Sequence, residues 1–558
     1  MFKTNPIAWM GAAACPVFIL LGATVASADI INVPADYPTI QKAINNAEDG
    51  DEVVVAPGTY FEKINFKGKA IWVRSSDGAD VTTIDAEGNG SVVRCISGED
   101  SLTVLEGFTI TGGGGTFNGG GMDIDSSSPT VAHCTFIGNS ATRGGGLANS
   151  FASPKIIECT FIDNAAGEYG GGMSNFFNSD PVLIGCTFEG NTAVYGGGGY
   201  AASSDSNGTL VECVFSNNYA AEQGGGAYAE MGSPVFDHCL FEMNHAAVSS
   251  ELGGGGGAFA EYGDPAFYGC DFVDNHTPAW GGGFLFGSAE PVLLDCEFLG
   301  NSAGKGGGIS SGYSAAYLVN CLFAENSADE WAGAYQSHRA APTILNCTFA
   351  SNSAPDTGGL RIKQDPIEGT TTVANCVLFG NEDDSGDPQH AQLSLLYADP
   401  DLISVDYSCI EGWTGLIDGQ GNIADDPTFV DPAGGNYRLG DGSSCIDAAS
   451  NQLLPDEFQT DLDGNDRLVD NPFVEDTGIL EYGDPGVADM GAYEWQSAGC
   501  ACDLNADGTV DVLDLLLLLD MWGACGNQGA CTADLDQSSQ VDVVDLLFLL
   551  ADWGPCDQ

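Results

Sequence analysis

Short apolar runs, each closed by a turn-forming residue, fill most of this chain. Between residues 129 and 381 one pattern recurs ten times: Cys-x-Phe-x-x-Asn, a short gap, then a run of glycines. The cysteines are Cys134, Cys159, Cys186, Cys213, Cys239, Cys270, Cys296, Cys321, Cys347 and Cys376. Each has Asn five residues on, from Asn139 to Asn381; nine have Phe two residues on, and the tenth has Leu378. Seven have Pro five residues before, as at Pro129, Pro181 and Pro342. Successive cysteines lie 25 to 31 residues apart. A period of that length marks a solenoid, whose repeats bury apolar faces against their neighbours. Cys and Phe at i and i+2 share one side of a strand. Thr, Val, Ile and Phe dominate the segment, which favours strand over helix. Asn and Gly tolerate left-handed backbone, so corners are expected at the Asn, the glycine run and the Pro. Three corners give three short faces per turn. The expectation is an all-β, right-handed parallel β-helix with like residues stacked about 4.8 Å apart along its axis. Its cysteines are expected as a ladder of buried free thiols, since Cys packs as a small apolar residue and no zinc-type spacing accompanies the repeat.

The flanks can be read in order. Residues 1–28 have one early charge, Lys3, then an apolar run from Ile7 to Val25 and Ala26-Ser27-Ala28 before Asp29. That is the layout of a cleavable secretory signal, with a lipid attachment site at Cys15 the alternative. Residues 29–110 open the solenoid. Thr39 to Ala47 predicts a short amphipathic helix, with Ile40, Ala43, Ile44 and Ala47 on the face that covers the first coil. Strand-length runs follow at 52–60, 70–76, 81–84 and 102–112. The opening PTIQKAINNAEDGDEVVVAPGTY resembles the first coil of secreted β-helix proteins, pectin esterases among them; the catalytic segments of those esterases have no counterpart here. The array proper spans 111–385. Its FxxN and Gly-Gly-apolar pattern resembles the repeats of chlamydial polymorphic outer-membrane proteins and of secreted β-helix proteins of environmental bacteria, a resemblance that implies fold more than function.

Residues 386–498 lose the period and are expected to form the last coils and a cap. Cys409 and Cys445 either pair or continue the thiol ladder. Asp461, Asp463 and Asn465 form either a calcium-type oxygen set or a polar turn. In residues 499–558, DLNADGTVDVLD matches a twelve-residue calcium loop. Its ligands are Asp503, Asn505, Asp507, Thr509 through its carbonyl, Asp511 and Asp514, with Gly508 at the sharp turn. A second copy 31 residues on supplies Asp534, Asp536, Ser538, Gln540 through its carbonyl, Asp542 and Asp545. Ser539 replaces the turn glycine there, so this loop is the weaker. Each loop runs into an apolar helix, and Asp closes each loop. The duplicated pattern resembles a type I dockerin. That resemblance implies bound calcium, a cohesin-like module or cell-surface scaffold as partner, and partner choice by Val512 and Leu513 in one copy and Val543 and Val544 in the other. A calcium-stapled cap with no partner is the alternative. Cys500, Cys502, Cys525, Cys531 and Cys556 cluster here and suggest disulfides whose pairing the sequence leaves open.

Composition then narrows the function. The 558 residues hold 78 acidic and 15 basic side chains, a net charge of −63. Nucleic-acid binding rests on Lys and Arg against phosphates, so this surface excludes it. It suits cations and keeps a long solenoid soluble. No apolar stretch after the leader reaches the roughly 18 residues of a membrane span. The expected location is extracellular or at the cell surface.

Three groups of residues are candidates for chemistry. Arg361-Ile362-Lys363 resembles the RIK segment of polygalacturonases, without the His-Gly and paired-Asp segments expected beside it. Glu230 and Glu261 fall in one column of adjacent coils, near the roughly 5–5.5 Å separation of a retaining glycosidase pair; a calcium chelate or two acids of an acidic surface are the alternatives. Tyr169, Tyr195 and Trp280 precede glycine runs, with Arg143 and Lys305 at matching positions. They form either a sugar-stacking edge or corner packing. The leading expectation is a β-helix protein that binds extracellular polysaccharide or another surface and docks through the calcium module. A polysaccharide lyase or glycoside hydrolase is the second reading, and a structural adhesin the third.

Overall fold

The computed structural model describes residues 28–247, 253–364, 369–396, 402–415, 417, 419–455, 459–469, 471, 474, 476–480, 486–496, 504, 509–524, 533, 540–541, 543–551 and 553–555. The expected leader therefore lies, but for Ala28, outside the described residues, as do the five cysteines expected in disulfides.

From Ile30 to Ile410 the chain winds as a right-handed parallel β-helix. One coil shows the plan: Thr130–Ala132 belongs to a first sheet, Thr135–Ile137 to a second, Ser140–Arg143 to a third and Leu147–Ser150 to a fourth. The four sheets hold 15, 14, 9 and 13 strands. Sequence periodicity predicts three faces. The fourth arises because the segment after each Asn also pairs from coil to coil, though some of its strands have only two residues.

The corners differ from expectation in the same informative way. Left-handed backbone falls on the residue before each Cys (His133, φ 49°; Glu158, φ 46°) and on the residue before each Asn (Gly138, φ 65°; Asp163, φ 50°). The Asn instead turns its side chain into the solenoid. Asn164 donates from Nδ2 to Asn191 Oδ1 at 3.0 Å and to Phe136 O at 2.9 Å, while Asn191 Oδ1 also accepts the Asn164 amide. The pattern repeats through Asn352 and Asn381, so each buried amide is satisfied by its neighbours. The glycine run is required by close approach: a Cβ on Gly171 would lie 2.4 Å from Gly198 O.

Inside, the Phe column stacks with centroids 4.5 to 4.9 Å apart from Phe136 to Phe349. The ten repeat cysteines are buried and free. Ser408 rather than Cys409 continues their column, taking the Cys376 amide on Oγ at 3.1 Å. Cys409 and Cys445 are buried free thiols. At the start, α1 (Ile40–Asn46) is capped by Thr39 and buries Ile40, Ala43 and Ile44 over the first coil, as predicted.

The closing segment does more than cap. Past Ile410 the chain folds back along the outside of the last coils. Tyr437, Ala492 and Tyr493 cover Leu322, Ala324 and Ala350, outward residues of the second sheet. Asn375 exchanges two hydrogen bonds with Ser450, and Asn320 reaches Thr460 O and Arg467 Nη2. Arg467 is fully buried and also donates to the carbonyls of Gly491 and Ala492. Asp461 and Asp463 form a turn: Asp461 accepts the amides of Asp463, Asn465 and Glu494, and Asp463 pairs with Arg438. A short helix α2 (Pro388–Gln392) sits at the last coils. Farther on, α3 (Val512–Asp520) and α4 (Val543–Ala551) pack around Val510, Leu518, Val541 and Leu549. Among the described residues no helix is long and apolar enough to cross a membrane.

Candidate functional site

Alternation along the fourth sheet sends two columns of side chains outward. One runs Tyr228, Phe259, Leu285, Ser310, Gln336, Arg361; the other runs Glu230, Glu261, Gly287, Gly312, His338, Lys363. The second column loses its side chains at two consecutive rungs, Gly287 and Gly312. Neither glycine has the left-handed backbone that favours this residue. A Cβ on Gly312 would meet nothing within 4 Å, and one on Gly287 would make ordinary contact at 3.6 Å. Their absent side chains leave a groove of about 570 Å³, with Phe259, Leu285 and Ser310 on its floor.

Aromatic residues wall the groove. Tyr262 and Tyr313 stand at the corner leaving the fourth sheet, two rungs apart, so about 9.6 Å at the usual strand spacing. Both have left-handed backbone (φ 56° and 57°) and are 59% and 61% exposed. The left-handed backbone belongs to the corner and not to the rings, since Ser126, Phe151, Ser204, Met231, Ser288 and Arg339 share it at the same position of other coils; what sets Tyr262 and Tyr313 apart is an exposed ring beside the groove. The opposite wall carries Trp280. Lys305 Nζ lies 4.5 Å from the centroids of both Trp280 and Trp331, and the Arg361 guanidinium lies 4.8 Å from Trp331.

Glu230 and Glu261 are register partners on adjacent rungs. Tyr228 donates to Glu230 Oε2 at 3.1 Å. Burial raises the Glu261 carboxyl above its ordinary range and the Glu230 charge raises it further, against a hydrogen bond from Tyr262. Glu261 lines the groove. Lys363 stands in the same column four rungs away. Arg361 lies in the neighbouring column, its Nε on Asp356 at 3.0 Å, so the Arg361–Lys363 pair is not brought to the two glutamates.

The predicted aromatic edge is two clusters. Tyr169 pairs in register with Gly196, not Tyr195. The cause is the extra glycine of the next run: a Cβ on Gly196 would lie 2.5 Å from the Tyr228 ring. Tyr169 and Tyr195 still approach to 5.6 Å, and Tyr169 packs on Tyr228 at 5.3 Å. Trp280 belongs instead with Lys305 and Trp331. Arg143 is paired with Glu168 and packs over Phe117 and Phe176. Sequence reasoning missed Tyr262, Tyr313, His338 and the two floor glycines. A signal existed: FLFG and ISSG each place a glycine on the outward side of a strand, outside the glycine run of the repeat.

Of the residues expected to hold calcium, Asp503, Asn505, Asp507, Asp534, Asp536, Ser538 and Asp542 lie outside the described residues. Asp511 caps α3 through the Leu513 amide, and Asp514 accepts the amides of Leu504 and Asp511. Asp514 and Asp545, the last residue of each loop, are fully buried. Val512, Leu513, Leu516 and Leu519 are exposed on α3, and Val543, Val544, Leu547 and Leu550 at the matching positions of α4.

Residues 143–256 match the family model described as a right handed beta helix region. No curated protein matches the chain. Among solved structures, the pectate lyase Pel9A is 11% identical over 85% of this chain and 98% of its own, with a TM-score of 0.29. The catalytic unit of a thermostable GH87 alpha-1,3-glucanase from Streptomyces thermodiastaticus is 12% identical over 73% of this chain and 71% of its own, with a TM-score of 0.30. The receptor binding domain of the siphovirus 9NA tailspike is 11% identical over 74% and 78%, with a TM-score of 0.22.

Proposed function

We propose that this chain is a secreted or surface-displayed β-helix protein that binds extracellular polysaccharide in the groove of the fourth sheet. The observation that carries the reading is the pair of unforced glycines, Gly287 and Gly312, between the exposed Tyr262 and Tyr313. A cleared floor flanked by exposed rings serves no packing end, whereas flat apolar sugar faces stack on such rings.

The same proposal makes the C-terminal module a calcium-stapled, dockerin-like unit that docks to a cohesin-like partner or cell-surface scaffold. Residues 499–558 hold eleven aspartates and no Lys, Arg or His. Asp514 and Asp545, which close the two loops, are buried there. That fits calcium, held in the first loop by Asp503, Asn505, Asp507, Thr509, Asp511 and Asp514, and in the second by the corresponding residues. Calcium would neutralise the loops and fix the two helices. The exposed apolar residues at matching positions of α3 and α4 supply a docking face.

A glycoside hydrolase is the second reading, favoured by one observation. Glu261 has a raised carboxyl pKa, and Glu230, one rung away, is hydrogen-bonded by Tyr228. Unequal environments are what divide two carboxyls into acid and nucleophile. A lyase fits less well, because no Lys or Arg lines the groove among the described residues. The test is incubation of the full chain with neutral and acidic polysaccharides plus Ca²⁺. Co-sedimentation without new reducing ends supports binding. New ends that vanish in Glu261→Gln support the hydrolase. Neither result leaves a spacer or adhesin and removes the groove reading.

A further inference from the structure

The groove has an acidic end. Its floor column reads Glu230, Glu261, Gly287, Gly312, His338, so a sugar ring over Gly287 lies one rung from Glu261 and two from Glu230. Both carboxylates are partly exposed, and Glu261 lines the opening itself. Tyr262 donates to Glu261 and Tyr228 to Glu230, yet among the described residues neither glutamate is ion-paired. Like charges one rung apart repel, and a cation beside them relieves the repulsion. The acidity reaches past the pair: burial raises the Tyr169 phenol, the charges of Glu230, Glu168 and Glu222 raise it further, and Arg143 opposes them. The neighbouring cations do not answer this charge. Lys305 packs on Trp280 and faces Glu330 at 3.4 Å, and Arg361 holds Asp356 at 3.0 Å. His338 and Arg339 stand at the other end of the floor, beside Tyr313, with Lys363 one rung beyond His338.

We propose that the groove selects a polysaccharide carrying free amino groups and seats one protonated amino sugar over Gly287 with its ammonium against Glu261, a refinement that rests on the groove reading above. The space is open: Gly287 has no side chain, and the cavity of about 570 Å³ continues over Gly312 for the next sugar. An ammonium there donates charge-assisted hydrogen bonds to Glu261 while Glu230 adds attraction from the next rung. The exposed ring of Tyr262, on the same wall, attracts a cation as well. N-acetylation replaces that charge with a neutral amide and removes the advantage. A uronate would bring a third carboxylate to the pair. The net charge of −63 draws a polycation toward the whole solenoid, so the specific contact has to be read apart from that general field.

The experiment is titration of the full chain, by calorimetry, with the hexamer of glucosamine, its N-acetylated counterpart, cellohexaose and hexagalacturonate. The buffer has about 0.15 M salt, which screens the general field, and a pH of about 6, below the ordinary range of an amine. It compares wild type, Glu261→Gln, Glu230→Gln and Gly312→Trp, with thermal melting of each. The glucosamine hexamer should bind wild type about tenfold or more tighter than the two neutral hexamers, and hexagalacturonate should not bind. Glu261→Gln should bring the glucosamine hexamer down to the affinity of its N-acetylated counterpart and leave the latter unchanged. Glu230→Gln serves the same comparison, with a smaller loss, if Glu261→Gln does not fold. Equal affinity for the glucosamine and N-acetylated hexamers, with both lost in Gly312→Trp, overturns the amino-sugar class and leaves the groove standing. A preference for the glucosamine hexamer that survives both Gln variants overturns it too, because the acidic surface at large then accounts for it. Binding of none of the probes overturns both readings.

Discussion

Gly287 and Gly312 lie side by side on adjacent rungs of the fourth sheet, in a column whose neighbouring rungs carry Glu261 and His338. No backbone angle and no close contact explains glycine at Gly312, since a Cβ there meets nothing within 4 Å. The contrast with Gly171, where a Cβ would lie 2.4 Å from a carbonyl of the next coil, separates glycines that build the corners from glycines that clear a floor.

The exposed rings beside that floor give the first prediction. Tyr313 has φ 57° and is mostly exposed. Asn tolerates this conformation better than Tyr does. Tyr313→Asn should leave unfolding free energy within about 1 kcal/mol of wild type, the lost contact with the Arg339 guanidinium, 5.3 Å from the ring centroid, offsetting the easier left-handed backbone. Polysaccharide binding should fall several-fold. Chemical denaturation and co-sedimentation check the two halves.

The Asn column should be far less tolerant. Asn218 gives Nδ2 to Phe188 O and Asn244 Oδ1, and its Oδ1 accepts both nitrogens of Asn191. Asn218→Leu keeps the volume but leaves buried amide groups without partners, at about 2–4 kcal/mol. Urea denaturation should show that loss.

The folded-back segment should weaken as pH rises. Burial pushes the Asp489 carboxyl up to about 8, with the Asp447 charge adding to the rise and Arg467 and two backbone amides opposing it. Glu494 is likewise raised well above its ordinary value, by burial first and by Asp489 next. An unfolded Asp ionises near pH 3.9. Between about pH 4 and 8 the native group therefore holds a proton that the unfolded chain has released, so stability falls as pH rises across that window. Hydrogen exchange of residues 445–455 and 486–496 should show greater protection at pH 5 than at pH 8. Asp489→Asn should flatten the difference.

Calcium removal should unfold the C-terminal module and spare the solenoid. With EDTA, the helical signal from α3 and α4 should fall while the β signal persists. Asp514→Ala should reproduce the loss in the presence of Ca²⁺. Helical content unchanged by EDTA would contradict the calcium proposal.

The period, the stacked columns and the α1 cap were all legible from the sequence, because one residue type per position repeats and alternation fixes which way it points. The fourth face was not, because a strand as short as Ala165–Ala166 has no alternation to read. Propensity alone places the Asn at a left-handed corner, whereas its amide bridges neighbouring coils and the residue before it takes the corner. The fold-back that lays Tyr437, Ala492 and Tyr493 on the second sheet left a faint trace in the apolar outward residues Leu322 and Ala324, where earlier coils have Thr187 and Glu189. The groove was missed because its defining feature is side chains that are absent. Tyr195 precedes its glycine run as Tyr169 does, yet falls out of register with it because that run has a fourth glycine, Gly196.

The most direct test of the account is the affinity of wild type and Gly312→Trp for the polysaccharide that co-sediments with the full chain. The indole would fill the floor without touching the column of Asn, Phe or Cys. The account predicts unchanged melting and loss of binding in Gly312→Trp. Wild-type binding by a folded Gly312→Trp would contradict it and place the sugar elsewhere on the solenoid.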